Sequence, residues 1–171
     1  MIVWLNGAFG VGKTRLAEEL QARLPGSFIF DPEEVGFALR KLTPPELALE
    51  DFQDYSLWRE MVAKTLLHSA QGGTPLIVPM TLVKPDYFEE IVGFVREEGQ
   101  VVHHIVLVGS RKVILNRLER RGDGVDSWAA GQLERCLAGL SKFDLNEKIQ
   151  TDALTVAEVA DIVMKRLESN G

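Results

Sequence analysis

Gly7-Ala8-Phe9-Gly10-Val11-Gly12-Lys13-Thr14 carries the spacing G-x-x-x-x-G-K-[ST]. Each part has a physical task. Glycines let successive backbone N–H groups turn inward and approach phosphate oxygens. A helix that starts at the end of the loop adds its N-terminal partial charge to the anion site. Lys13 reaches the β- and γ-phosphates of a nucleotide, and Thr14 offers a hydroxyl to Mg²⁺. The motif carries meaning only between a strand and a helix, and its flanks supply both. Ile2 to Leu5 is a short apolar run with β-branched and aromatic residues, which reads as a buried strand. Lys13 to Leu24 places Leu16, Ala17, Leu20 and Leu24 at helical spacing, and Pro25-Gly26 stops it.

Outward from this point, strands and helices alternate. Phe28-Ile29-Phe30 predicts a second strand, ending at Asp31-Pro32, where a helix through about Arg40 begins. Thr43-Pro44-Pro45 breaks that helix, and a longer one spans Tyr55 to Ala70. Leu76-Ile77-Val78 is a third strand, followed by a helix from Pro85 to Glu98. Val101 to Val108 is a fourth strand, and Ser110 caps a helix through about Arg120. Ser127 caps another through about Leu140, Lys148 to Thr151 offers a short fifth strand, and Thr155 to Leu167 is a closing amphipathic helix. This pattern calls for an α/β fold with a parallel sheet covered on both faces. With 171 residues and neither repeat nor linker, one domain over 1–171 is expected.

In open α/β sheets, ligands lie beyond the carboxyl ends of the strands. The second strand ends at Asp31. A carboxylate there faces the γ-phosphate region, where it can take a proton from an acceptor hydroxyl or orient a metal shell; it is also a good helix N-cap. The third strand ends Val78-Pro79-Met80-Thr81 without an acid, which leaves Asp31 beside Thr14 as the expected metal contacts. Ser110 to Arg121 holds Arg111, Lys112, Arg117, Arg120 and Arg121. Arginine suits the charge that phosphoryl transfer spreads over equatorial oxygens. Arg117 and Arg121 lie four apart on one helical face and are the expected catalytic pair, with Lys13 and Asp31; Arg117 is also expected to touch the nucleotide. Gly122-Asp123-Gly124 makes residues 120–128 a candidate lid. No Asn-Lys-x-Asp segment is present, which favours ATP over GTP.

Phe37, Phe52, Tyr55 and Trp58 read either as core or as walls of an acceptor pocket. Phe37, Arg40 and Trp58 join Asp31 as candidate acceptor contacts. His103 and His104 lack a Cys/His set around them and read as packed or surface residues. Cys136, the sole cysteine, reads as a small buried hydrophobe and excludes an intramolecular disulfide. A reducing cytoplasm is expected, since no apolar run is long enough for a membrane span and no basic leader precedes the first strand. The closing helix reads as core rather than membrane contact.

The net charge is −6, which disfavours a nucleic-acid partner. Residues 31–60 hold eight acids against three bases, so the acidity falls almost wholly on the expected acceptor side. Such a wall suits a neutral or cationic hydroxyl compound better than a polyanion.

Several segments resemble the tunicamycin-resistance protein TmrB family, within the nucleoside-monophosphate-kinase-like P-loop superfamily. They are Ile2 to Gly10, Asp31-Pro32-Glu33 with Gly36 to Arg40, Asp51-Phe52-Gln53 with Leu57-Trp58-Arg59, Ile77 to Thr81, and Ser127-Trp128-Ala129-Ala130. The resemblance spans nearly the whole chain. It implies a three-layer P-loop fold with sheet order 2-3-1-4-5, ATP binding through Gly7 to Thr14, and a link to resistance against a nucleoside antibiotic. Membrane association attributed to a C-terminal extension of such proteins is not expected of this chain, which stops at Gly171. The expected partner is tunicamycin or a nucleoside- or sugar-like hydroxyl compound; a second copy of the chain stays open. The resemblance does not choose between a kinase that phosphorylates the acceptor and a module that binds it with ATP and sequesters it.

Overall fold

The computed structural model describes residues 1–124 and 126–169. Val125, inside the expected lid, and residues 170–171 lie outside the described residues.

The phosphate loop grows out of β1 (Ile2–Gly7), which is buried at every position. A strand covered on both faces needs apolar residues throughout rather than alternation, and Ile-Val-Trp-Leu provides them. The chain continues through α1 (Lys13–Arg23), β2 (Phe28–Ile29), α2 (Pro32–Leu42), two 3₁₀ turns (Pro45–Leu47 and Phe52–Asp54), α3 (Ser56–Ala70) and β3 (Leu76–Pro79). Next come α4 (Pro85–Phe88), a π-helical turn (Glu89–Gly93), α5 (Phe94–Glu97), β4 (Val102–Val108), α6 (Arg111–Arg120), α7 (Trp128–Gly131), α8 (Leu133–Leu140), a 3₁₀ turn (Leu145–Glu147), β5 (Lys148–Gln150) and α9 (Val156–Ser169). The strands pair in parallel in the order β2-β3-β1-β4-β5, the order the family resemblance implies.

Alternate residues of β1 point to opposite faces of the sheet. Val3 and Leu5 join a core with Leu16, Leu20, Ile114 and Val163, beneath α1, α6, α8 and α9. Ile2 and Trp4 join the other, with Trp58, Val62, Leu66 and Ile91, beneath α3 and the helical run that starts at α4. The closing helix therefore buries Val159, Ala160, Val163 and Leu167 in the protein core. Among the described residues no helix is long and apolar enough to cross a membrane.

Two helices expected as single pieces are divided. The run after Pro85 contains the π-helical turn, and the run after Ser127 breaks at Gln132, just past Gly131, a weak helix former. Asn6 explains how the loop after β3 reaches the site. Its buried amide pairs both ways with Leu82, donating to the carbonyl (2.9 Å) and accepting from the N–H (2.9 Å). This side chain does the work of one more strand residue and fixes Thr81 beside the phosphate loop.

Helix α8 closes against the segment after β3 at Gly139. A Cβ built there would stand 2.4 Å from the Val83 carbonyl oxygen, a backbone atom with little room to move. Gly139→Ala is expected to destabilise the fold by about 1–3 kcal/mol in urea unfolding. Gly131→Ala, where a Cβ meets nothing within 4 Å, is expected to be neutral or stabilising by up to about 1 kcal/mol. Equal effects of the two would contradict the close approach.

Candidate functional site

The loop from Gly7 to Thr14 has the backbone its sequence requires. Gly10 and Gly12 sit at φ +79° and +115°, where a side chain is strained. At Gly10 space matters as well, since a Cβ would lie 2.7 Å from the Leu118 side chain. Helix α1 begins with neither a side-chain cap nor an acid in its first turn. By contrast, α2 and α6 are capped by the Asp31 and Ser110 side chains. The first N–H groups of α1 are thus left for an anion from outside the chain. The residues fit a nucleotide phosphate.

Lys13 Nζ donates to Gly7 O (2.9 Å), Ala8 O (3.0 Å) and Thr81 Oγ1 (2.8 Å), and the Thr81 hydroxyl donates onward to Gly7 O (2.9 Å). Burial pushes the Lys13 ammonium down to about 8, with Arg121 acting in the same direction and Cys136 and Glu33 opposing. Thr14 is exposed toward the cavity. Among the described residues no three His, Cys, Asp or Glu side chains gather as a metal site. A Mg²⁺ ion would meet the Thr14 hydroxyl and the phosphates themselves, as this ion commonly does, with Asp31, the other expected contact, at the edge of the cavity.

The structure gives Arg117 a bracing position. Its guanidinium donates to Val11 O (2.8 Å), Thr151 Oγ1 (3.0 Å) and Thr151 O (2.8 Å). It ties the phosphate loop to the segment after β5 with three of its N–H groups, and it also lines the cavity. Arg121 ends α6 and pairs with Asp123, its Nε donating at 2.6 Å. It still lines the cavity and acts electrostatically on both Lys13 and Glu33. On the lid side, Trp128 of α7 packs edge-on against Phe9 of the loop, ring centroids 4.9 Å apart.

One cavity of about 1230 Å³ joins the phosphate loop to the expected acceptor side, Asp31 to Gln53. Helix α2 presents Glu33, Phe37 and Arg40 to it, at the i, i+4, i+7 spacing of one face, and buries Pro32, Gly36 and Leu39 on another. Phe37 is 44% exposed and stands edge-on to Phe52, 5.3 Å between centroids. Arg40 lies over Phe52 at 4.2 Å and donates to Glu50 O (3.2 Å). Asp31 is exposed at the cavity edge, and its Oδ1 accepts the Glu33 N–H (2.9 Å).

Trp58 corrects an expectation. It is 0% exposed and sits in the core beneath α2, where its Nε1 donates to Pro32 O (3.0 Å). It holds the start of α2 in place and does not wall the cavity. Cys136 is buried as expected, and burial pushes its thiol up.

Several cavity-side residues escaped the sequence reading. The sequence offered Thr81 as the start of a turn or as a contact for metal-bound water, and gave Glu33 no role of its own. Asp51 accepts from Arg135 Nη2 (2.5 Å) and from Gln53 N (3.1 Å) and Nε2 (3.2 Å), which joins the segment after α2 to α8. The signal that could have found this bond is the placement of Asp51 and Arg135 just before and just after the aromatic and arginine clusters. The acidity of 31–60 is also sharper in space. Asp31, Glu33, Glu50 and Asp51 line the cavity, whereas Asp54 and Glu60 pair with Lys84 and Lys64 on the surface.

A family model described as AAA domain matches residues 2–145. The structure of the tunicamycin resistance protein of Deinococcus radiodurans superposes with a TM-score of 0.81 at 35% identity, covering 97% of this chain and 94% of that one. A sugar kinase from Janibacter sp. HTCC2649 gives 0.69 at 22% identity, over 98% and 94% of the two chains. A gluconokinase from Sinorhizobium meliloti gives 0.67 at 21%, over 98% and 93%; at these identities the two kinases share the fold alone. No curated protein sequence matches the chain. A parallel sheet of order 2-3-1-4-5, a glycine-strained loop with an uncapped helix behind it and a match over most of the length lead to one conclusion: the chain belongs to the AAA-domain family, as a P-loop, kinase-like relative of the D. radiodurans tunicamycin resistance protein.

Proposed function

We propose that the chain is an ATP-dependent phosphotransferase that carries the γ-phosphoryl group of ATP–Mg²⁺ to a hydroxyl of a small nucleoside- or sugar-like compound, with tunicamycin as the first acceptor to try. The observation that supports this is one cavity that holds Lys13 and Arg121, with further arginines, together with the acids Asp31, Glu33, Glu50 and Asp51. At about 1230 Å³ it exceeds the roughly 300–1,000 Å³ of a typical one-ligand cleft, so two reactants fit side by side. When bound, ATP–Mg²⁺ supplies the transferable phosphoryl group. The chain supplies the surroundings. Backbone N–H groups of residues 10–14 and the Lys13 ammonium hold the phosphates, and Thr14 meets the metal. Arg117 stiffens the loop from behind, and Arg121 stands where negative charge develops. Carboxylates at the end of β2 receive the proton of the acceptor hydroxyl. The Phe37–Phe52 pair offers an aromatic wall to a sugar or base. An acidic wall and a net charge of −6 suit neither nucleic acid nor a polyphosphate acceptor. The cytoplasm, where ATP and Mg²⁺ are abundant, is the fitting compartment.

One observation favours a second reading, in which the protein holds drug and ATP without transfer. The loop after β3 brings Thr81 rather than an acid to the phosphate end, so the metal has few protein contacts. Incubation with ATP–Mg²⁺ and tunicamycin, followed by mass spectrometry, separates the two. A drug product heavier by one phosphoryl group is expected; stoichiometric, ATP-dependent drug binding with no such product would establish the second reading instead.

Two predictions address the nucleotide end. Lys13→Ala removes charge-assisted hydrogen bonds and is expected to weaken ATP binding by about 10- to 100-fold in calorimetry. Unchanged affinity would overturn the site. ATP affinity of the unaltered chain is expected to hold level well below pH 8 and to turn down near it, where Lys13 has lost half of its protons. Above that it should fall, by at most about tenfold per pH unit, with proton uptake on binding. The sign follows from the charge: phosphate favours the ammonium form, so binding is strongest where that form is already present. Lys13→Ala should abolish this dependence, and affinity that stays flat to pH 9.5 in the unaltered chain would contradict the buried ammonium.

A further inference from the structure

His104 is a buried polar side chain that the proposed reaction does not use. It stands in register with Trp4 on the central sheet, and its side chain is 0% exposed. The ring lies against Phe88, centroids 4.2 Å apart, and meets Phe143 edge-on at 5.1 Å. Both ring nitrogens have polar neighbours. Nε2 is 3.3 Å from Asn6 Nδ2. Nδ1 has no aligned hydrogen bond among the described residues, but it stands 3.0 Å from Oε2 of Glu147, in the 3₁₀ turn before β5.

The backbone decides which of the two nitrogens carries the proton. The Gly7 N–H (2.8 Å) and the Leu82 N–H (2.9 Å) both donate to one Asn6 side-chain atom, which must be the oxygen. The amide nitrogen therefore faces Leu82 O (2.9 Å) and His104. Turning the amide over would set its NH₂ against two N–H groups and its oxygen against a carbonyl. An NH₂ group only donates, so Nε2 of His104 must offer its lone pair. The proton of the neutral ring then sits on Nδ1, beside the Glu147 carboxylate that favours it.

We propose that His104 is a positioning residue for the phosphate loop: in its Nδ1–H form it accepts the second amide hydrogen of Asn6 and so holds the side chain that sets Gly7 and Leu82. Those two residues fix the cation end of the cavity. Gly7 O accepts from Lys13 Nζ and from Thr81 Oγ1, and Leu82 carries Thr81 beside it. Without an acceptor at Nε2, a buried N–H of Asn6 is left unpaired, which is costly enough to move the amide. Gly7 and Thr81 would move with it, and the phosphates would meet a less ordered loop. The inference concerns nucleotide binding and goes beyond the phosphotransferase reading; it holds whether or not transfer follows.

The test begins with the unaltered chain and needs no variant to fold for its first readout beyond assignment. In ¹⁵N NMR of the imidazoles, the signals missing from His104→Gln are expected to show Nδ1 protonated and Nε2 bare. Asn6→Asp keeps an oxygen for Gly7 and Leu82 but turns a second acceptor toward the ring, so there the His104 proton is expected on Nε2. ATP–Mg²⁺ binding is then measured by calorimetry. His104→Phe keeps the ring stack and removes the acceptor, and its affinity is expected to fall about 3- to 10-fold. His104→Gln places an amide oxygen near the former Nε2 and is expected to bind within about twofold of the unaltered chain. A proton on Nε2 in the unaltered chain would overturn the proposal, as would a ring unchanged by Asn6→Asp. Equal losses in His104→Phe and His104→Gln would also overturn it, because the ring would then matter for its packing alone. If the unaltered chain binds no ATP, the nucleotide site and this inference fall together; if it binds ATP and His104→Phe binds it equally, only this inference falls.

Discussion

The rest of the site depends on a single cation, the Lys13 ammonium, held in a place that penalises it. A charge with little water around it must be given other acceptors. Here they are two loop carbonyls and the Thr81 hydroxyl, all within 3.0 Å. Thr81 stands 68 residues along the chain and reaches Lys13 only because Asn6 grips Leu82 through both its amide atoms. The central strand thus does two things at its carboxyl end. It releases the glycine loop, and its last side chain pulls the neighbouring crossover into hydrogen-bonding range. The first three N–H groups of α1 and the lysine then point to the same region, and an anion that enters relieves both.

The parts that were legible in the sequence are those whose physics is local. The loop's glycines, the helix behind it and the apolar β1 are neighbours along the chain, and each must have its residue type there. Asp31 and Ser110 were readable as caps for the same reason. The missed parts are bonds between distant positions. Asp51 and Arg135 are 84 residues apart, and Arg117 meets Val11 across 106. No local pattern shows that an arginine will brace a loop, because one left to solvent sits on a polar helix face with similar spacing. Trp58 was ambiguous for a related reason. An aromatic one turn into an amphipathic helix suits a pocket wall and a core equally, and only the indole N–H needing a partner, found at Pro32 O, tells where it is.

The charge asymmetry shows how composition becomes a site property. Of the acids between 31 and 60, those that pair with lysines of their own surface contribute little to the cavity. The four that line it sit at the start of α2 and at the end of the arm that follows, and one of them, Asp51, is paired with Arg135. Arg40 is spent on Phe52 and the Glu50 carbonyl, and Arg59 on Glu90 and the Gln53 carbonyl. Two of the three bases in the segment therefore stabilise its shape through their stems and hydrogen bonds.

Rigidity is distributed to match. Helix α2 is clamped by Trp58, by the Gly36–Phe52 contact and by its own cap, so the side chains it shows to the cavity keep their direction. The arm from Pro44 to Glu50 is exposed throughout and held by hydrogen bonds to Tyr55 and Arg40 rather than by apolar burial. Segments with few buried contacts open at low cost. The cavity thus combines a fixed helix face with a compliant border, so compounds of different outline would meet the same Glu33, Phe37 and Arg40.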